Sequence, residues 1–367
     1  MRTCLHRFAI MVAAVSMFVT LAGCGQADQP DVPHRKASDG GFTVGLLFPD
    51  NQATRYENFD GPLIEKKIAE LCGACSVVDA NAQGDVSTQR RQVDTMLVNG
   101  VDVLVLDRVD GPSLRRSVQK ARDAGVPVIA YDRLADGPVS GYVSFNDYAV
   151  GRIQGEALLR GMGRRASGDR IVWLDATVPS SAWSTPRVEG ALSVLKGKVD
   201  IAEEYTIGSL NEQDSYVAMS AAVVSLGPEN VDGVYALNDV IAAGAIAALK
   251  NAHVTALPPV VGQDAELSAV QRIVKGEQYM TAYKPYGLQA NAAAEMAVAL
   301  GRGEKPHGIS ETTVGNATDK GIPAVLLEPV PVTANSIKNT VVKDGVYTVK
   351  QICTPKLAEA CRKAGLL

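Results

Sequence analysis

The chain is poor in the residues that build reactive centres. Its 367 residues include four histidines and two tryptophans, and aromatics make up only 5%. So few imidazoles leave little material for a metal centre, and so few rings leave no stacking platform for bases. His34, His253 and His307 are isolated in loop-like sequence and read as surface residues. No HExxH, no GxSxG elbow and no GxxxxGKS/T loop occurs, so zinc-protease, hydrolase and nucleotide-phosphate chemistry have no motif to rest on. The formal net charge is -4 with no runs of one sign, which excludes a broad basic surface for nucleic acid. A membrane span is missing too. The apolar stretch Phe8–Ala22 is about 15 residues, against the roughly 20 a spanning helix needs.

What remains is globular composition, 46% hydrophobic and 21% charged, with enough length for about two domains. Arg2 and Arg7 precede the Phe8–Ala22 run, which ends Leu21-Ala22-Gly23-Cys24. Small residues leading into a cysteine read as a bacterial secretory signal with a lipoprotein box. Residues 1–23 are then removed, Cys24 carries lipid, and the protein is held at the outer face of the cell membrane. Residues 24–41, polar and Pro-containing with no apolar period, read as a flexible tether.

Export permits disulfides among the four remaining cysteines, Cys72, Cys75, Cys353 and Cys361. Three connectivities are possible, and local pairing is the simplest. Cys72-Gly73-Ala74-Cys75 has the spacing of a redox motif. However, it follows a helix-like stretch and precedes a strand, whereas thioredoxin-type motifs open a helix after a strand. A structural staple is therefore expected.

From Thr43 onward, short apolar runs alternate with amphipathic stretches of helical period. Continuous apolar strands separated by such stretches indicate βαβ units and parallel sheets covered on both faces. At least eight strands are expected, and two sheets in two lobes suit the length. The strand ends are the informative part. They read Asp107, Asp132-Arg133, Asn146-Asp147, Asp175, Asn238-Asp239, Asp264 and Lys284-Pro285. Ligands of open α/β sheets bind beyond the carboxyl ends of the strands. Any single Asp or Asn there can be a turn residue or a helix cap, and Asp147, Asp175 and Asp239 are expected to be caps. The set as a whole mixes carboxylates, a carboxamide, guanidinium and ammonium. Neutral sugars offer hydroxyls that both donate and accept, which this mixture matches. Arg187 completes the inventory, and Tyr56 could supply an aromatic face.

These residues resemble the periplasmic sugar-binding family with the type I fold, in particular the D-xylose-binding proteins of ATP-binding-cassette importers. The resemblance runs from about Thr43 to Gly345. It is carried by Arg55-Tyr56, by 100–106 (GVDVLVL), by Val128-Ile129-Ala130-Tyr131-Asp132-Arg133 and by Val143-Ser144-Phe145-Asn146. Leu237-Asn238-Asp239, Gly262-Gln263-Asp264 and Thr281-Ala282-Tyr283-Lys284-Pro285 complete it. The cysteine pairs resemble the Gram-positive, actinobacterial lipoprotein branch. The resemblance implies an α/β protein with two Rossmann-like lobes joined by a three-stranded hinge. The N-lobe would be 42–146 plus 286–328, and the C-lobe 147–285 plus 329–367. It implies sugar contacts from Arg55, Tyr56, Asp107, Asp132 and Arg133, and from Arg187, Asn238, Asp264 and Lys284 opposite. Two segments depart from the xylose-binding pattern, 180–187, where an Asn-rich stretch would stand, and 208–212, near a stacking Trp. Trp183 is the aromatic available in their place.

The implied function is a monomeric, non-enzymatic receptor, without cofactor or metal, that captures xylose or a similar aldose and delivers it to a membrane permease. A sugar sensor read by a receptor kinase is the alternative. An extracytoplasmic glycosidase or thiol oxidoreductase is a third reading, which the missing motifs disfavour.

Overall fold

In the computed structural model, residues 40–50, 55–163, 168–177, 179, 185–208, 211–306, 308–310 and 312–367 are described. The expected signal, Cys24, nearly all of the tether, Trp183 and His307 lie outside them. The chain begins β1 (Thr43–Phe48), α1 (Gly61–Leu71), β2 (Ser76–Asn81), α2 (Val86–Val98), β3 (Val103–Leu106), α3 (Gly111–Asp123), β4 (Val128–Tyr131) and β5 (Gly141–Phe145). It continues α4 (Asp147–Met162), β6 (Arg170–Asp175), α5 (Pro186–Leu195), β7 (Asp200–Thr206), α6 (Glu212–Leu226) and β8 (Gly233–Ala236). Then come α7 (Asp239–Asn251), β9 (Val260–Gln263), α8 (Leu267–Lys275), β10 (Met280–Tyr283), α9 (Tyr286–Gly301), β11 (Thr312–Val314), β12 (Ile322–Leu327) and β13 (Val330–Val332). Two short helices close the chain, α10 (Val349–Ile352) and α11 (Ala358–Lys363).

The strands form two sheets, β11-β12-β5-β4-β3-β1-β2 and β13-β10-β9-β8-β6-β7. All pairs are parallel except β11–β12 and β10–β13 at the edges. The central strands β3, β4, β8, β9 and β10 are buried along their whole length, as parallel strands covered on both faces must be. Alternation sends their side chains to opposite cores. Val103 and Val105 join α1 and α9 on one face, while Leu104 and Leu106 join α2 and α3 on the other. The second sheet repeats this, with Val172 and Leu174 against α6 and α7, and Ile171 and Trp173 against α4 and α5. The chain passes between the sheets three times, after β5, after β10 and after β12.

Cys72 is bonded to Cys75 and Cys353 to Cys361. The first bridge closes the turn from α1 to β2. The second pins the C-terminal helices onto a cluster that includes Val270, Ile273, Tyr283 and Val332. Of the three acids expected as caps, none holds that position at a helix. Asn146 and Asn238 cap α4 and α7, accepting from Ala149 N and Ile241 N at 3.1 and 3.0 Å. Asp147 and Asp239 follow them as the first helical residues. Asp175 instead accepts from Thr177 N at 3.2 Å and pairs with Arg187.

The Gly151–Gly155 spacing on α4 serves close helix contact. A Cβ on Gly151 would run into the carbonyl oxygen of Arg187, and one on Gly190 into that of Tyr148. The two backbones touch, so α4 fixes where the first turn of α5 lies and hence where Arg187 points. Overpacking a tight contact costs about 1–3 kcal/mol. Gly151→Ala should lower unfolding stability by that order, measured in a urea titration, whereas Ala at solvent-facing Gly73, with no atom near its Cβ, should change it little.

Candidate ligand-binding cleft

Both sheets direct their carboxyl ends into one cleft of about 1080 Å³. On the first-sheet side the organising group is Arg55, at the start of the helical turn that leads through Asp60 into α1. Its Nε and Nη2 donate to the two carboxylate oxygens of Asp60 at 2.7 and 3.2 Å. Nη2 also donates to Gln289 Oε1 at 2.8 Å, and Nη1 lies 3.5 Å from Asp132 Oδ1. Gln289, on α9, returns a hydrogen bond from Nε2 to Asp132 Oδ1 at 3.3 Å. Asp60 accepts a third bond, from the Tyr131 hydroxyl at 2.6 Å. The guanidinium also lies 4.9 Å from the Tyr286 ring centre and 5.5 Å from that of Tyr56, within cation–π range.

Asp132 follows β4 with φ +58, in the left-handed region that few residues other than glycine adopt. Its backbone is tied down: N donates to Val143 O at 2.9 Å, and O accepts from Ser144 Oγ at 2.8 Å and Tyr142 Oη at 3.0 Å. Asp264 occupies the corresponding place after β9. Its φ is +92, and its N donates to Ala282 O of the adjacent strand at 2.9 Å. Strain of this kind concentrates at functional sites. Lys284 Nζ sits 3.7 Å from Asp264 Oδ1. Arg187 Nη2 donates to Asp175 Oδ1 at 2.9 Å.

The electrostatics follow from these pairings. Burial alone would raise the Asp132 carboxyl, but Arg55, Lys284 and Arg133 outweigh it and hold its pKa at about 2. Burial dominates at Asp60 and Asp175 and lifts both above the usual carboxylate range, against the pull of their arginines. Burial, and then the nearby Asp132 charge, lifts Asp107 well above that range. Several polar atoms here lack a hydrogen-bond partner among the described residues: both Asp107 oxygens, Asp175 Oδ2, Arg187 Nε and Gln263 Oε1.

Of the residues singled out in the sequence, Arg55, Tyr56, Asp132, Arg133, Arg187, Asn238, Asp264 and Lys284 all border the cleft. Asp107 does not. It is 1% exposed and lies behind Arg133, whose Nε is 4.0 Å from Oδ1. Tyr56 offers no open ring face, because its ring stacks on Phe48 at 5.4 Å and Arg55 lies over it. Asn238 spends its carbonyl oxygen on the α7 cap. Sequence reasoning missed Asp60, Gln289, Ser144, Gln263 and the cleft-bordering aromatics Phe59, Tyr286 and Tyr347. Gln263 stands directly before Asp264 at a strand end and carried a readable signal. Asp60 and Gln289 lie inside helical stretches and carried none. Cys72, Cys75, Cys353 and Cys361 are not among the residues that border the cleft, and no group of acidic, His or Cys side chains suited to a metal occurs among the described residues.

A profile of the family described as periplasmic binding protein domain matches residues 44–305. The chain is 34% identical over 316 residues to the D-xylose-binding periplasmic protein of Escherichia coli, covering 84% of this chain and 92% of that one. It is 30% identical over 300 residues to a xylitol-binding protein of Mycolicibacterium smegmatis, covering 81% of each. Among solved structures, a solute-binding protein of an ABC transporter from Clostridium phytofermentans with bound β-D-glucose superposes with TM-score 0.71 at 27% identity, covering 84% of this chain and 99% of that one. The chain belongs to the periplasmic binding protein family and has its type I fold. These relatives are substrate-binding proteins rather than enzymes, and the family works outside the cytoplasm. No helix among the described residues is long and apolar enough to cross a membrane.

Two outcomes follow. Asp60→Asn leaves Arg55 without its bidentate carboxylate, and breaking a buried pair from one side costs about 3–5 kcal/mol, to be read as lost stability in urea. Asp132, with a pKa of about 2 against an ordinary 3.8, contributes stability that is present above 3.8 and lost as pH falls through about 2. Carboxyl-carbon NMR should place its titration midpoint near 2, and a midpoint at or above 3.8 would contradict the pairing.

Proposed function

We propose that the cleft captures a neutral monosaccharide of the aldose class, such as xylose, and presents it to the permease of an ATP-binding-cassette importer. In this reading the chain is monomeric and lipidated Cys24 tethers it to the outer face of the membrane. The two sheets act as lobes, 42–146 with 286–328 and 147–285 with 329–367, hinged at the three crossings. A ligand that contacts both lobes only when they are closed shifts the population toward closure.

The observation that carries this reading is the internal pairing of the cleft's cations. Arg55 has Asp60 and Asp132, Arg187 has Asp175, and Lys284 has Asp264. Arg133 lies 4.0 Å from Asp107 and 3.9 Å from Asp50. An anionic ligand would have to displace one of these partners. The cleft wall carries donors in Arg187 and Lys284 and acceptors in Asp132 and Asp264, and hydroxyl groups can meet both kinds. The xylose-binding relative and the glucose-bound structure support an aldose, and the xylitol-binding relative supports a neutral polyhydroxy ligand more broadly.

A thermal-shift screen of residues 42–367 against aldopentoses and aldohexoses tests it. A sugar at 100 times its Kd should add about 2.7 kcal/mol of stability. In calorimetry, Asp132→Ala should weaken that sugar by at least tenfold, since it loses a charge-assisted acceptor. Unchanged affinity would remove Asp132 from the site.

A further inference from the structure

Asp239 is a buried acid that is not among the residues bordering the cleft. It begins α7, directly after cleft-bordering Asn238, and is 1% exposed. Its carboxylate crosses β9 toward β10. The way is open because residue 262 is glycine: a Cβ there would run into Asp239 Oδ1. Opposite Gly262 on β10 stands Thr281, which is fully buried. The Thr281 hydroxyl donates to Asp239 Oδ2 at 2.8 Å, and the same oxygen accepts from Glu266 N at 3.0 Å. Oδ1 accepts from Gln278 Nε2 at 2.8 Å. Arg272 locks the far side, donating from Nε to Gln278 Oε1 at 3.0 Å and from Nη2 to Asp239 O at 2.8 Å.

This network holds the turn that carries Asp264. Asp264 and Ala265 are consecutive non-glycine residues with φ +92 and +51. Such a conformation persists only where its surroundings over-determine it. Three successive backbone N–H groups are spent on fixed acceptors here. Asp264 N donates to Ala282 O at 2.9 Å, Ala265 N to Thr281 Oγ1 at 3.0 Å, and Glu266 N to Asp239 Oδ2. Two of the three depend on Asp239. One bonds to it directly. The other bonds to a hydroxyl whose proton Asp239 takes, which leaves the hydroxyl oxygen to accept.

We propose that Asp239, together with Thr281, is a positioning residue for ligand recognition: it touches no sugar and sets the turn that presents Asp264 to the cleft. The proposal rests on the sugar-binding reading above and deepens it.

Calorimetry with D-xylose and D-glucose, and amide hydrogen exchange followed by NMR on the sugar-free protein, test it. Asp239→Ala is the direct variant. Thr281→Val keeps the side-chain shape, removes only the hydroxyl, and serves where Asp239→Ala does not fold. Thr281→Val should weaken the bound sugar by at least about tenfold and speed exchange of the Ala265 amide by a similar factor. Asp239→Ala should speed the Glu266 amide as well. Thr281→Ser, which keeps the hydroxyl, should hold both readouts within about threefold of the parent protein. Leu249→Ala hollows the apolar cluster packed on α6 and α7, which contains no residue of the turn; it should lower stability yet leave affinity within about twofold. Unchanged affinity or unchanged Ala265 exchange in Thr281→Val would overturn the assignment. So would an equal loss of affinity in Leu249→Ala, which would trace the effect to stability. If folded, ligand-free parent protein binds neither sugar, the monosaccharide reading falls, and exchange at Ala265 and Glu266 alone decides whether the pair sets the turn.

Discussion

A guanidinium placed inside a protein must bring its counter-charges with it, and the cleft is organised around that requirement at Arg55. Asp60 supplies two acceptors from the turn before α1, and Gln289 supplies a third from α9. Gln289 then spends its amide on Asp132, which makes Arg55 and Asp132 one unit rather than two neighbours. Tyr131, at the end of β4, closes the network from below through Asp60. Residues from three separate stretches of chain are thus held in register before any ligand arrives. This is preorganisation: ligand binding need not order these side chains.

The second sheet solves the same problem with a similar local design. Asp132 and Asp264 each follow a parallel strand in a left-handed conformation, and each donates its backbone N–H to the next strand. The chain turns there, and the side chain is aimed outward past the sheet edge. Arg187 reaches the same space by another route. Its position depends on glycine contacts between α4 and α5, which let the helix backbones meet. The site therefore depends on the exact seating of two helices as well as on the strand ends.

Much of this was legible in the sequence, for physical reasons that also explain the rest. Central strands such as β3 and β4 are covered on both faces and so read as continuous apolar runs. The edge strand β7, with Glu203 and Glu204 in it, lacks such a run. Charged residues at strand ends were visible because little else places Asp-Arg or Lys-Pro after a hydrophobic run. Asp60 and Gln289 were invisible because a buried polar residue on a helix looks like any solvent-facing one until its partners are known. Asp107 shows the converse: its strand-end position was correct, yet the chain folds it under Arg133 and away from the cleft. Tyr56 borders the cleft as expected, but its ring packs against Phe48 and Arg55.

The central claim is that the cleft's cations are paired within the protein, so that the ligand is not an anion. Calorimetry with D-xylose and its carboxylate analogue D-xylonate, repeated from low to high ionic strength, tests this most directly. The account predicts that the neutral sugar binds with an affinity almost unmoved by salt, because buried, paired charges are screened little, and that xylonate binds at least a hundredfold more weakly. Preferential binding of xylonate, weakening steeply as salt is added, would show that one of these arginines or Lys284 is free to take an anion, and would contradict it.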